Sequence, residues 1–128
     1  MHLYCKCGHK FDNNCAHFLS DYAIEEEGIM KKLTVKCPKS VTPTQGGVYN
    51  CEEEEGVVVC MEGRRIRAKD VLAWFVKNRT EVTGSEKKNT NYWIWTDSGA
   101  AGHVYYGTED TCVAGTGVFR HNKIRYFK

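Results

Sequence analysis

The sequence predicts an α+β protein in which a mainly antiparallel sheet packs on one central helix at about residues 68–78. Three observations support this prediction. The segment 68–78 carries apolar residues at helical spacing, the segment 92–96 alternates aromatic residues as a strand does, and residues 48–61 have the pattern of a β-hairpin.

The segment 68–78 is the helix that the sequence indicates most directly. Its apolar side chains cover more than half of the helical circumference, which is too much for a solvated surface helix. We therefore expect it to lie in the core, against the sheet. The side chains concerned are Val71, Leu72, Trp74, Phe75 and Val76.

A second helix is predicted near residues 14–27. Apolar residues with helical spacing share one side of this segment, and Gly28 follows its end. A strand is predicted next, over Ile29–Lys36, and then a loop over 38–47 that contains both prolines. The apolar residues of the helix are Phe18, Leu19, Tyr22 and Ala23.

The hairpin predicted between Val48 and Met61 has its turn at Glu55-Gly56. This register places Cys51 opposite Cys60, where two sulfur atoms are close enough to bridge or to share a metal ion. Three interpretations stay open for the pair: packed free thiols, a second part of a metal site, or a disulfide.

Further strands are predicted in the C-terminal part of the chain, and the first two of them are expected to pair as an antiparallel hairpin. Alternation along the first strand sends Trp93 and Trp95 to one face, and Tyr92 and Ile94 to the other. The predicted strands are Tyr92–Thr96, His103–Tyr106, Thr111–Phe119 and Lys123–Phe127.

The composition, with 41% hydrophobic and 27% charged residues, is that of a soluble globular protein. No apolar run approaches the roughly 20 residues of a membrane span, and the N-terminus lacks the basic and apolar regions of a secretory signal. We therefore expect a cytoplasmic protein, whose seven cysteines are thiols or metal ligands in a reducing compartment.

A group of sulfur and imidazole donors lies within 13 residues near the N-terminus. Such donors can close a tetrahedron around one zinc ion, and Gly8 can make the tight turn that follows the first pair. The stretch Cys5-Lys6-Cys7-Gly8-His9 resembles a zinc-ribbon knuckle shortened by one residue. His9 and Cys37 are reserve ligands, and the alternative is ordinary buried thiols and surface histidines. The predicted zinc ligands are Cys5, Cys7, Cys15 and His17.

The length of 128 residues predicts a single domain over 1–128. Within it we expect a small, zinc-pinned, metal-binding N-terminal element at 1–37 and a β-rich body with one helix at 48–128.

Charge and aromatic residues indicate a partner-binding surface. Residues 1–62 have a formal charge of −4 and residues 63–128 one of +6, and aromatic and basic residues interleave near the C-terminus. Such a surface suits a protein partner or single-stranded nucleic acid, although one face of every strand must be buried. The candidate partner-binding residues are Arg64, Arg65, Arg67, Trp93, Trp95, Arg120 and Arg125.

Together these features predict a non-catalytic, zinc-stabilised interaction module that binds a macromolecule. A protein partner is favoured, as for an adaptor or an inhibitor of a larger machine, because a charge of +6 is modest for phosphate binding. The alternative is a small thiol- or metal-dependent hydrolase that uses Cys112 with His103 or His121.

Overall fold

The computed structural model describes residues 5–7, 14–35, 40–42, 47–49, 56–83, 89–97, 102–119 and 122–128, with backbone only for 40–42 and 47–49. Within these ranges there are two helices, and neither is long and apolar enough to cross a membrane. The helices are α1 (Cys15–Glu25) and α2 (Ala68–Asn78). The strands are β1 (Ser40–Thr42), β2 (Gly47–Tyr49), β3 (Val58–Val59), β4 (Glu81–Val82), β5 (Tyr92–Thr96), β6 (His103–Gly107), β7 (Cys112–Ala114) and β8 (Ile124–Phe127).

The main sheet has five strands in the order β4-β8-β5-β6-β7, and every neighbouring pair is antiparallel. A smaller sheet has the order β1-β2-β3. The predicted α+β class is therefore confirmed, and α2 has the bounds that its apolar pattern indicated.

One face of the main sheet packs on the two helices. Phe75 of α2 lies at the centre of this layer, with its ring centroid 6.1 Å from that of Trp93 and 5.3 Å from that of Phe127. Tyr22 of α1 packs beside it against Trp93 and Tyr106. Phe75, Trp93 and Phe127 belong to the buried main core, and Tyr22 and Tyr106 are half-buried against it.

The opposite face of the sheet is also buried. Tyr92, Ile94, Tyr105 and Tyr126 form a second apolar cluster there, as the alternation along β5 predicted. The chain that follows β6 covers part of this cluster, since the Tyr105 hydroxyl donates to the carbonyl of Thr108 at 2.7 Å. Both aromatic faces of β5 are therefore largely interior.

The smaller sheet differs from the predicted hairpin in its register. Val48 pairs with Val59, whereas a two-residue turn at Glu55-Gly56 would have placed Glu52 there. The connection between β2 and β3 is therefore longer than a tight turn. Cys51, the predicted neighbour of Cys60, lies outside the described residues.

Two of the predicted strands differ from the structure. The described part of the first, residues 29–35, contains no strand, and the Leu33 N–H donates to the carbonyl of Gly63 at 3.1 Å instead of joining a sheet ladder. The strand predicted over 111–119 is shorter, because β7 ends before Gly115, whose φ of 141° turns the chain away from β6.

Candidate metal centre

Four side chains from three separate segments converge beside the N-terminal end of α1. Cys5 and Cys7 come from the N-terminal segment, His17 from α1, and Cys60 from the end of β3. One sulfur or nitrogen atom from each lies within 4.8 Å of the others. Cys60 and His17 are buried and the other two are half-buried, so the group could hold a metal ion that is largely shielded from water.

The four donor atoms include two close contacts. The Sγ atoms of Cys5 and Cys60 are 3.6 Å apart, and Cys7 Sγ is 3.7 Å from Nε2 of His17. Each contact joins the N-terminal segment to a different part of the fold. A metal ion held by all four would therefore fasten the N-terminal segment to α1 and to the end of β3.

The imidazole of His17 is oriented for binding through Nε2. Its Nδ1–H donates to Oδ1 of Asn14 at 3.1 Å, which leaves Nε2 unprotonated in the neutral ring. Burial lowers the pKa of His17 to about 4, although the negative charge of Asp21 partly offsets the effect, and the positive charge of Arg64 lowers it slightly further. The ring is therefore neutral at pH 7, as a metal ligand must be.

The pKa values of the thiols shift in the direction opposite to that of His17. Burial raises the pKa of Cys60 to about 12 and also raises the pKa of Cys5. Without a cation, these thiols hold their protons at neutral pH. A divalent metal ion supplies the positive charge that thiolates need in such a place. The guanidinium of Arg64 also interacts electrostatically with Cys5, so it would balance the net negative charge of three thiolates around a divalent ion.

The turn after β3 holds Cys60 in position. The Cys60 N–H donates to the carbonyl of Arg64 at 2.8 Å, and the Gly63 N–H donates to the carbonyl of Cys60 at 3.0 Å. Gly63 has a φ of 77°, and a Cβ at this position would lie 1.9 Å from the carbonyl oxygen of Leu33. The turn therefore requires glycine both for its conformation and for its close approach to the neighbouring chain.

Arg64 fastens this turn to α1. Its Nε donates to Asp21 at 3.1 Å and its Nη2 to Glu25 at 2.6 Å, and both carboxylates belong to the helix that carries His17. The side chains of Arg64 and Asp21 are only 5% and 1% exposed, so this ion pair is buried. It connects the segment of Cys60 to the segment of His17 without any metal ion.

Cys15, the remaining predicted ligand, does not belong to the cluster. Residues i and i+2 of a helix project to nearly opposite sides, so Cys15 and His17 cannot both face the same ion from the first turn of α1. Cys15 instead packs in the main core, where burial raises its pKa and its sulfur meets the backbone N–H of Val104. The reserve ligands His9 and Cys37 lie outside the described residues.

Cys60 takes the place that the sequence pattern assigns to Cys15, and the role of Asn14 has no counterpart among the predictions. The sequence indicated Cys60 only indirectly, since part of a metal site was one of the three interpretations left open for Cys51 and Cys60. No comparable signal marks Asn14, whose role depends on the direction of the His17 side chain.

The predicted partner-binding residues do not form one exposed surface in the described parts of the chain. Arg64, Arg65 and Trp93 are buried, and Trp95 is half-buried against the main core. The difference arises because the face of β5 that carries both tryptophans is the one that the helices cover.

The remaining basic residues of that set are engaged locally or lie elsewhere. Arg67 donates to Asp70 at 2.7 Å and to the carbonyl of Gly56 at 2.8 Å, so it joins the start of α2 to the chain before β3. Arg125 forms a two-point contact with Glu81 of the neighbouring strand β4. Arg120 lies outside the described residues.

The alternative catalytic residues do not show the features of an activated thiol. Burial raises the pKa of Cys112, whereas a nucleophilic cysteine needs a lowered pKa. The Nε2–H of His103 donates to the carbonyl of Gly117 at 2.6 Å, and burial lowers the pKa of this imidazole. His121 lies outside the described residues.

The described residues thus define a small α+β protein with a Cys₃His cluster that could bind a metal ion. No protein-family model, curated protein or solved structure matches this chain.

Proposed function

We propose that this protein is a non-catalytic, zinc-stabilised interaction module whose partner is another protein. The observation that carries the proposal is the convergence of Cys5, Cys7, His17 and Cys60. Structural zinc sites have four protein ligands, whereas catalytic sites keep one position open for water or substrate. Four protein donors therefore favour a structural role.

The donor distances are compatible with a tetrahedral zinc ion. With Zn–S bonds of about 2.3 Å and Zn–N bonds of about 2.0–2.1 Å, the edges of a tetrahedral site are about 3.8 Å between two sulfur atoms and about 3.6 Å between sulfur and nitrogen. The contacts in the cluster measure 3.6 Å between Cys5 and Cys60, and 3.7 Å between Cys7 and His17. These two separations match the edges of a zinc site, and all four donor atoms lie within 4.8 Å of one another.

The support for a protein partner comes from the edge of the main sheet. Val113, Val118 and Phe119 are 48%, 36% and 47% exposed, and all three lie in or just after the edge strand β7. We call residues 113–119 the edge segment. Exposed apolar side chains beside a strand edge favour a protein surface over a phosphate backbone.

Elemental analysis of the purified protein tests the zinc site. We expect one zinc ion per chain, which Cys60→Ser should abolish together with much of the stability. Cys15→Ser is the matched control, because this buried cysteine lies outside the cluster, and it should retain the metal. Loss of zinc in Cys15→Ser, with retention in Cys60→Ser, would contradict the proposed ligand set.

Affinity capture from the native host tests the interaction role. A protein bound by the wild type should be lost when the edge segment carries Val113→Asp and Phe119→Asp. Val76→Asp is the matched control, since Val76 is 55% exposed on α2. Equal capture by all variants would contradict the proposed surface. Binding of a single-stranded oligonucleotide that weakens steeply with salt would favour nucleic acid instead.

A further inference from the structure

Cys5 and Cys60 are in van der Waals contact although 55 residues separate them in the sequence. Their sulfur atoms are 3.6 Å apart, and a disulfide requires about 2.05 Å. An approach of roughly 1.5 Å would thus join them. A bridge between Cys5 and Cys7 would instead close a small ring across a single residue, and Cys7 lies against the imidazole of His17.

We infer that Cys5 and Cys60 are a peroxide-sensitive thiol pair, and that their oxidation to a disulfide empties the metal site. The second half of this inference rests on the proposed zinc site. A disulfide between them removes two of the four donors, and Cys7 and His17 alone are too few to hold a structural zinc ion. The pair would thus convert an oxidising condition into loss of the metal.

The chemistry balances with hydrogen peroxide as the oxidant. The sulfur of one thiolate attacks peroxide, the O–O bond breaks, and a sulfenic acid and hydroxide form. The second thiolate then attacks the sulfenic sulfur, the S–S bond forms, and hydroxide leaves. The two hydroxides take up two protons, so two thiolates, one peroxide and two protons give one disulfide and two waters.

The difference in burial between Cys5 and Cys60 indicates which of them reacts with peroxide first. Cys5 is half-buried, so peroxide can reach its sulfur, whereas Cys60 is 0% exposed. Cys5 is therefore the thiol that is oxidised first, and Cys60 is the one that resolves the sulfenic acid. Cys15 is nearly as inaccessible as Cys60, and its sulfur lies against Val104 in the main core. Among the described residues, no other cysteine belongs to that core, so Cys15 has no thiol beside it to form a disulfide.

The test treats the full chain with hydrogen peroxide, once loaded with zinc and once metal-free. A chelating dye follows zinc release, and intact mass follows the loss of about 2 Da that accompanies disulfide formation. Trypsin cuts after Lys6 and so separates Cys5 from Cys7, and a protease that cuts after glutamate separates Cys51 from Cys60. Cys112→Ser is the control variant, because this thiol packs on the face of the main sheet that points away from the two helices.

We expect a Cys5–Cys60 disulfide in the zinc-loaded sample and in the control variant, and the same disulfide after longer exposure in the metal-free sample, whose thiols hold their protons. Zinc should be released mole for mole with the disulfide, and a thiol reductant should restore zinc binding. A bridge that contains Cys7 or Cys15, thiols oxidised without a bridge, or zinc retained after the disulfide forms would overturn the inference while leaving the zinc site intact. A chain that never binds zinc would defeat the proposed function, and the metal-free sample would then decide for or against the thiol pair.

Discussion

Asn14 determines which nitrogen of His17 faces the metal centre. It occupies the N-cap position of α1 but makes no side-chain cap hydrogen bond, so its amide oxygen serves the imidazole instead. We expect Asn14→Ala to weaken zinc binding about 10–100-fold, because the ring loses the contact that fixes its tautomer. Competition with a chromophoric chelator measures the affinity.

The control for this experiment is Asn78→Ala, which removes a side-chain bond to the carbonyl of Trp74 in α2. This change lies away from the four donors and should leave zinc affinity unaltered. An Asn14→Ala protein that binds zinc as tightly as the wild type would show that the tautomer of His17 is fixed in some other way.

The buried imidazole of His103 should make the free energy of unfolding depend on pH, independently of the candidate metal centre. Burial lowers its pKa below the ordinary 6.5, although the bond to Gly117 partly offsets the effect. The folded protein therefore binds this proton less tightly than the unfolded chain does. The resulting stability is present above about pH 6.5 and is lost as the pH falls toward the folded pKa.

NMR titration of the His103 ring should give a midpoint below 6.5. Unfolding is measured with excess zinc at about pH 7.5 and about pH 5.5. Between these two pH values His103→Gln should lose less stability than the wild type, because glutamine retains a donor for Gly117 but does not titrate. A midpoint at or above the ordinary value would contradict the structure around this ring.

Residue-level prediction from the sequence succeeds where the chemistry is local. Donor type and spacing indicate Cys5, Cys7 and His17 as ligands, and the structure brings them together. The same proximity indicates Cys15, although a helix predicted over the same residues implies that it points away from His17. Spacing could not select Cys60, because 43 residues separate it from His17 and only the fold brings them together.

At the scale of the elements, the turn between β3 and α2 is sensitive to substitution at Gly63. Gly63→Ala should destabilise the protein by about 3 kcal/mol or more, because it adds a clash with the Leu33 carbonyl to the cost of a positive φ. Gly56→Ala is the matched control. Its φ is 84° and a Cβ added there would meet no atom of the described residues within 4 Å, so only about 1–2 kcal/mol is expected.

Chemical denaturation of the two variants measures the difference directly. Equal destabilisation would mean that the clash at Gly63 is relieved by movement of the chain around Leu33. A larger effect at Gly63, accompanied by weaker zinc binding, would show that this turn positions Cys60.

Helices and strands with a strong local pattern could be predicted with nearly correct bounds. The central helix and β5 are examples, since their apolar period is complete within the element itself. The strand predicted over 29–36 is different, because Leu33 is buried and its N–H is bonded, but its partner Gly63 lies 30 residues away. Alternation shows which side chains are buried and does not show what the backbone pairs with.

At the scale of the whole molecule, Arg64 joins the turn after β3 to α1. Arg64→Met should cost about 3–5 kcal/mol, because it removes the guanidinium from the buried carboxylate of Asp21. Arg125→Met is the matched control, since its pair with Glu81 is partly exposed and should contribute less than about 1 kcal/mol.

Denaturation in urea with excess zinc gives both values without loss of the metal. Similar costs for the two variants would indicate that the Arg64 pair is more hydrated than its burial implies. A large cost at Arg64 alone would show that this ion pair, together with the proposed metal, holds α1 and the turn together.

The arrangement of the layers could be predicted only in part. The sequence indicated one central helix against a sheet with two aromatic faces, and the structure confirms both features. The sequence does not show which aromatic rings remain exposed, because the chain after β6 covers the second face through contacts such as that of Tyr105 with Thr108. The exposed apolar residues of the edge segment lie instead at the border of the sheet.

X-ray absorption at the zinc edge of the full chain tests the central claim most directly. The proposed ligand set predicts three sulfur neighbours at about 2.3 Å and one nitrogen at about 2.0–2.1 Å, with the same shell in Cys15→Ser and no bound zinc in Cys60→Ser. A shell of oxygen or nitrogen atoms alone, or a sulfur lost in Cys15→Ser instead, would contradict the assignment of Cys5, Cys7, His17 and Cys60 as the metal ligands.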